Sequence, residues 1–407
     1  MACQSNGVST TDCKIKFTIN LVRDKEDLDD DNADFPPGIV PRVIEAFNGD
    51  TGDVIPRISL SFWSSSLKTL ISTNIDGNQE IDKIIMDLNE DLPINYHNQR
   101  NDFLTLYEEE FATHFKPHGK MIQVFDRKVN GKMRVFEIYF SDFANADESF
   151  KEYHRRMESF ALLCIDGAVR ITVDPRWCIF TIYEVQKTPK LRYHFVGFST
   201  VYRFHSFPDK IRPRISQFVI IPPFQRCGIG KQLLRVEQNY LIDTFNILEI
   251  TVEEPCEAFY EMRDIVDAER ILTSYPSFVP QILDSKPSSK KAVTNEFHKR
   301  LFIPNKRVVH MYELVKLYCI LKSDPSKIEE LQKEIEGRIK SQRMNDTNFL
   351  TQKQRRHGLR SHEEFLGRPA ISLNDIEEQF KGLFIKYENV VEKLISSEPE
   401  WNTSKEP

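Results

Sequence analysis

With 407 residues, 40% hydrophobic and 11% aromatic, the chain has room for two or three domains with buried cores and reads as globular. Its 55 Lys and Arg against 61 Asp and Glu leave a formal charge of −6, which argues against a general nucleic-acid binder and fits a basic substrate or partner. Seven cysteines without CxxC spacing, no apolar signal core and no long apolar run predict a reduced, soluble, intracellular protein without a membrane segment.

Residues 1–13 are expected to be a disordered Ser/Thr/Asn-rich tail, and residues 14–140 an N-terminal α+β domain. Lys14–Val22 alternates Ile15, Phe17, Ile19 and Leu21 with Lys16, Thr18 and Asn20, the pattern of a half-buried strand. Asp24–Asp34 then sets seven acids against Lys25 and reads either as a solvated loop or as a surface for a basic partner. Short strands and turns follow to residue 65, ending in the run Ile58–Trp63. Ile81–Leu88 and Asn101–Phe115 are predicted helices, and Met121–Phe125 and Arg134–Phe140 are strands joined through the hairpin signal Asn130-Gly131.

A central domain is expected over 141–265. Phe150, Tyr153, His154, Met157, Phe160, Ala161 and Cys164 recur at helical spacing, with His154 read as a packed core residue rather than a base. Strands are predicted at Ala168–Val173, Cys178–Glu184 and Tyr193–Phe204, then from Ile215 to Ile221, where Pro222 and Pro223 stop the run. A glycine turn, a helix over Leu233–Tyr240 and a strand over Ile247–Val252 complete the domain. The fold class is α+β, with a mixed, mostly antiparallel sheet ending in a strand–helix–strand unit. Residues 266–400 read as a helical domain, with short helices at Val266–Tyr275 and Val279–Leu283 and a linker at Ser285–Lys291. A buried helix over Val308–Ile320, a polar one over Ile328–Ile339 and an amphipathic stripe from Leu373 to Leu394 follow. Lys353, Arg355, Arg356, His357 and Arg360 form a basic cluster, either a solvated face or an import or nucleic-acid patch.

The chemistry concentrates at Gln225-Arg226-Cys227-Gly228-Ile229-Gly230-Lys231. A strand, a two-glycine turn and a helix present unpaired N–H groups and a positive dipole end to a phosphate. A dinucleotide fingerprint would need a small residue at Leu233, and a P-loop would need Ser or Thr where Gln232 stands. The alternative is an ordinary strand–turn–helix whose glycines serve turn geometry. Glu253 and Glu254 close the next strand, where a partly desolvated carboxylate can take the proton from a lysine ammonium, whose pKa is about 10.4 when free. The alternative there is a pair of exposed acids. Cys227 and Cys256 have no neighbouring His to activate them as nucleophiles. Pro117 between His114 and His118 argues against a helical metal face, and no metal is expected.

Gln-x-x-Gly-x-Gly after an apolar strand resembles the acetyl-CoA loop of the GCN5-related N-acetyltransferases. More specifically, the chain resembles the type B histone acetyltransferase catalytic subunits. The matching segments are F-K-P-H-G ending at Gly119, F-K-E-Y-H-R-R-M-E-S-F over Phe150–Phe160, the stretch Tyr202–Ile221, the loop itself, and Leu248–Pro255. The resemblance covers most of residues 14–320 and continues weakly to the end. It implies transfer of an acetyl group from acetyl-CoA to lysines of newly made histone four by direct attack of the amine. Phe218, Val219 and Ile220 would then pair with the pantetheine arm, Gln225–Lys231 (Arg226, Cys227, Gly228, Ile229 and Gly230 between them) would cradle the pyrophosphate, and Phe259 would touch the cofactor. Glu253 would be the base with Glu254 in support. Tyr202, Arg203 and Phe204 would contact the histone, with Asp174 and, more loosely, Asp50 and Asp53 as acidic contacts.

The resemblance further implies histone four with its histone partner and a WD-repeat histone chaperone as partners, no sequence-specific DNA binding, and residence in nucleus and cytoplasm. The chain departs from the family's pattern at Glu254, where Asp is usual, at Pro175, where some members carry an acid, and at Arg226 and Cys227 in the loop. The alternatives are a histone-binding escort with little catalysis, or an acetyltransferase for another protein.

Overall fold

The computed structural model describes residues 14–30, 34–47, 54–75, 77–92, 96–284, 286–356 and 373–398, and the chain divides into two compact units, Met1–Tyr260 and Glu261–Pro407. The expected tail, Asp50, Asp53 and the side chains of the basic cluster at 353–360 lie outside the described residues.

Two sheets build the first unit. The smaller has the order β2-β1-β3-β4, from Lys16–Val22 (β1), Asp34–Phe35 (β2), Arg57–Trp63 (β3) and Thr69–Thr73 (β4). β1 and β3 run parallel, in register from Lys16↔Arg57 to Val22↔Trp63. Three helices accompany it: Arg42–Glu45 (α1), Gln79–Asp91 (α2) and Arg100–Thr113 (α3). The Asn78 side chain caps α2 by accepting from the Glu80 and Ile81 N–H groups, as the first turn of a helix requires. Trp63 stacks on Phe103 of α3 at 4.4 Å and donates its indole N–H to the Phe103 carbonyl. The described part of the acidic stretch is folded and partly paired. Lys25–Asp29 is a 3-10 turn closed by the Asp27 carboxylate on the Arg23 and Asp24 N–H groups. Arg192, Arg100 and Arg57 pair with Asp24, Asp29 and Asp34, so internal cations take up much of the charge.

The larger sheet has the order β10-β9-β8-β7-β6-β5: Lys120–Val129 (β5), Lys132–Asp142 (β6), Trp177–Gln186 (β7), Arg192–Ser206 (β8), Lys210–Ile220 (β9) and Thr251–Val252 (β10). Every neighbour is antiparallel except β9 and β10. Asn130 and Gly131 take φ of +49° and +79°, the left-handed pair that a two-residue hairpin needs. This hairpin joins the large sheet through β6–β7, so the boundary expected after residue 140 cuts the sheet rather than delimiting it.

Glu148–Cys164 (α4) is capped by Asp147 and carries His154, buried edge-on to Phe143 and pushed by that burial down to about 3. No strand forms at Ala168–Val173, because both edges of β7 are taken by β6 and β8. Side chains satisfy that segment's backbone instead: Ile171 N–H donates to Glu158 and the Val169 carbonyl accepts from Gln217. The two sheets are tied by Ser64, whose hydroxyl sits 2.7 Å from His194 Nδ1 while His194 Nε2 lies 2.9 Å from the Gln186 amide oxygen. That oxygen can only accept, so Nε2 carries the proton and the Ser64 hydroxyl donates to Nδ1.

The strand–helix–strand unit runs β9, Ile229–Thr244 (α5), β10. The strand expected over Ile247–Val252 shrinks to two residues, with Ile247 making an isolated bridge to Ile211. Glu257–Ser274 (α6) follows, and the division between units falls inside it rather than after residue 265.

The second unit is helical: α6, Phe278–Leu283 (α7), Pro287–Leu301 (α8), Asn305–Ser323 (α9), Ile328–Arg356 (α10) and Leu373–Ser396 (α11). The expected linker is instead the start of α8, whose Pro287 occupies a first-turn position where its missing N–H costs nothing. Met311, Leu314, Val315, Leu331, Ile335, Tyr387 and Leu394 are buried in its core. Glu313, fully buried, accepts from two of the three Arg338 nitrogens and from the Tyr387 hydroxyl, as a charge in an apolar interior must be paired. Among the described residues no helix is long and apolar enough to cross a membrane. Among the described residues Cys164, Cys178, Cys227 and Cys319 are free thiols.

Candidate active site

The loop at Gln225–Lys231 starts just after β9 stops. Pro222–Phe224 forms a single 3-10 turn that buries Phe224, and the chain then reverses through Arg226 and Gly228 at φ of +59° and +77°. Gly228 is the N-cap of α5, in the left-handed region that glycine enters without strain. No side chain caps α5 and no acid stands in its first turn, so the N–H groups of Ile229, Gly230 and Lys231 open the helix with its positive dipole end. Two side chains brace the loop. The Gln225 amide donates to the Ile220 carbonyl at 2.7 Å, and the Cys227 thiol donates to the Gln225 carbonyl at 3.3 Å. Cys227 thus serves as a brace of the loop.

Between loop and carboxylates, β9 loses its neighbour. β10 pairs with it at Arg214 and Ile215, and the Glu253 N–H donates to the Ile215 carbonyl at 2.8 Å. Among the described residues no pairing on that side reaches Phe218–Ile220. The Val219 carbonyl faces β8, since a Cβ on Gly197 would lie 2.1 Å from it, and the Ile221 N–H bonds Val196 on the same side. Alternation then turns the backbone groups of Phe218 and Ile220 toward the open edge. Of the three residues expected to pair with an extended ligand, Phe218 and Ile220 have backbone on that edge, the Ile220 carbonyl already accepting from Gln225, while Val219 is spent on β8. Phe259, from α6, packs edge-on against Phe218 at 5.3 Å, beneath the strand.

Glu253 stands at the fork. Its side chain is exposed rather than desolvated, and the Ser216 hydroxyl donates to it at 2.5 Å. Glu254 follows at φ +35°, so the strand has already broken there. Ser216 was not singled out from the sequence. The strand–helix–strand reading placed β9 beside β10 without a register, and only the pairing Val252↔Ile215 sets Ser216 next to Glu253.

The four expected substrate contacts divide. Tyr202, Phe204 and Asp174 meet on one surface: the Tyr202 hydroxyl donates to Asp174 at 3.3 Å, and Tyr202 and Phe204 rings lie 4.6 Å apart. Arg176 binds Asp174 through its guanidinium and holds that carboxyl well below the usual carboxylate range. Its guanidinium also covers the Tyr202 ring at 4.8 Å. Arg203, one residue along β8 and therefore on the other face, is a tie instead: it grips Asp142 with two nitrogens at 2.8 and 3.0 Å and donates to the Pro175 carbonyl. Phe207, at the tip of the β8–β9 hairpin, is 91% exposed. No group of three or more metal-type ligands occurs among the described residues.

The family model described as "Histone acetyl transferase HAT1 N-terminus" matches residues 9–166. The histone acetyltransferase type B catalytic subunit of Mus musculus is 30% identical over 392 residues, 92% of each chain. A Dictyostelium discoideum protein of the same description is 30% identical over 402 residues, 93% of this chain and 83% of its own. Among solved structures, an aminoglycoside acetyltransferase from a soil metagenomic sample aligns with 31% of this chain and 83% of its own at 15% identity and a TM-score of 0.23, a likeness too slight to carry an argument.

Proposed function

Since the chain belongs to the family of type B histone acetyltransferase catalytic subunits, we propose that it moves an acetyl group from acetyl-CoA to lysines in the N-terminal tail of newly synthesised histone four. The observation that carries the reading is the fork itself: a stretch of β9 at Phe218–Ile220 that no described strand pairs on that side, a helix N-terminus without a side-chain cap at one end and Glu253 at the other.

The residues present fit acetyl-CoA. The N–H groups opening α5 suit a diphosphate without a metal, and the open edge of β9 suits an extended amide-bearing arm, which would add as another strand does. When bound, acetyl-CoA supplies the thioester. Glu253 takes the proton from the lysine ammonium, directly or through water, so that the neutral amine attacks the thioester carbonyl, the C–S bond breaks and the leaving sulfur takes up the proton that the new amide nitrogen sheds. Ser216 orients that carboxylate, and Glu254 supports it. Exposure of Glu253 is consistent with a base that a bound substrate covers. The surface of Asp174, Tyr202 and Phe204 receives the basic tail, which would take the places that Arg176 and Arg214 hold on the carboxylate and the aromatic faces. The proposed partners are histone four with its histone partner and a WD-repeat histone chaperone, in cytoplasm and nucleus.

The purified chain with labelled acetyl-CoA and separate core histones, acetylated sites being read by mass spectrometry, is expected to mark histone four. Glu253→Gln should keep acetyl-CoA binding and lose about 10²–10⁴-fold in rate. Unchanged turnover in that variant would refute the base, and a chain that binds histones without acetylating them would be an escort instead.

A further inference from the structure

Arg127 lies far upstream of the loop, on β5, and reaches it. Its guanidinium carbon stands 3.6 Å, and two of its nitrogens 3.8 Å, from where a Cβ on Gly228 would project. A cation is thus held against the positive end of α5, where the helix dipole repels it. Two further features add to that repulsion. Arg134 of β6 sits directly opposite Arg127 across the hairpin, and like charges facing each other across a ladder destabilise it. Arg134 shares the Glu184 carboxylate with Arg23, so one acid already serves two guanidiniums. The loop itself adds Arg226 and Lys231. Arg127 beside Gly228 thus adds a guanidinium to a helix N-terminus with no acid in its first turn, a setting that suits a phosphate.

We infer that Arg127 is a binding residue for a phosphate of the cofactor, clamping it against the N–H groups of α5 from the opposite side. The inference rests on the acetyl-CoA reading above and adds a residue that the loop motif does not contain. A guanidinium suits the task because its planar fork can grip two phosphate oxygens at once, whereas the helix offers single N–H donors. It also gives the β5–β6 hairpin a role at the site. Two phosphate groups of CoA could be the one held, the diphosphate or the ribose 3′-phosphate, and the experiment separates them.

Arg127→Ala, Arg127→Lys and the unaltered chain are titrated calorimetrically with CoA and with dephospho-CoA, and assayed with acetyl-CoA and S-acetylpantetheine. Loss of a charge-assisted phosphate contact should raise the Kd for CoA about tenfold or more in Arg127→Ala, with Arg127→Lys between it and the unaltered chain. The same loss with dephospho-CoA assigns the diphosphate, and a loss confined to CoA assigns the 3′-phosphate. The KM for acetyl-CoA should rise while the KM for the histone peptide does not. The preference for acetyl-CoA over S-acetylpantetheine, as a ratio of kcat/KM, should fall by the same factor. A Kd for CoA within twofold of the unaltered chain overturns the inference, as does an equal loss toward S-acetylpantetheine, which would mark a merely structural arginine. If the unaltered chain binds no CoA, the acetyl-CoA reading has failed, and this inference with it.

Discussion

The surface around Glu253 and the interior beneath α5 hold carboxylates in opposite ways. At the surface each acid is exposed or paired: Glu253 accepts from Ser216, Asp174 is gripped by Arg176, and Asp142 by Arg203. Glu237, on α5, is fully buried, and neither of its oxygens has a hydrogen-bond partner among the described residues. Burial pushes its carboxyl up to about 8, against a weaker pull from the Ser199 hydroxyl, which lies close but outside good hydrogen-bond geometry. A charged group loses more on leaving water than a neutral one does, so the interior keeps its acid protonated while the surface can keep its acids ionised. The lesson is a division of labour: the surface acids should govern rate and substrate affinity, and the buried one stability.

The largest expected effect is on stability. Glu237 is neutral in the fold up to about pH 8 but ionises near its ordinary value of 4.5 when unfolded. The folded state therefore binds the extra proton, and this contribution is fully present below about pH 4.5 and is lost as pH rises through about 8. At pH 7 the loss is roughly 3 kcal/mol. Glu237→Gln, neutral throughout, should remove this slope, so that urea unfolding of variant and unaltered chain converges at pH 5 and diverges at pH 8 in the variant's favour. Parallel curves at both pH values would mean that Glu237 is not held neutral.

Ser216→Ala should do the reverse. It removes the hydroxyl that orients Glu253, and kcat should fall about fivefold with the unfolding midpoint unchanged. A shifted midpoint with normal kcat would erase the contrast. Asp174→Asn should act least: it takes one half-buried charge, already paired with Arg176, from the acceptor surface, and the KM for a basic histone peptide should rise about threefold at low salt, less at high salt. An effect on kcat instead would move Asp174 from the acceptor surface into the chemistry.

How much of this was legible before folding depended on the range of the interaction. His154 as a core residue followed from its helical spacing, and the positive φ at Asn130 and Gly131 from their identity. The loop at Gln225–Lys231 was legible too, because glycine conformation and proline stops act within a few residues. Apolar alternation at Ala168–Val173 misled, since a strand also needs a free edge, and β7 had none to offer. The Ser285–Lys291 stretch misled in the other direction: a polar composition read as a linker, where Pro287 opens a helix.

Local chemistry alone therefore decides where strands break, where the chain can turn left-handed and which helix end stays bare, because each depends on one residue's own sterics or on its nearest neighbours. Tertiary structure alone decides that Ser216 meets Glu253, that Arg127 meets Gly228, that Val219 turns to β8 and that Arg203 is spent on Asp142. Each of these needs two segments distant in sequence to be brought into a definite register. A shift of one residue in that register would turn every side chain of a strand to the opposite face.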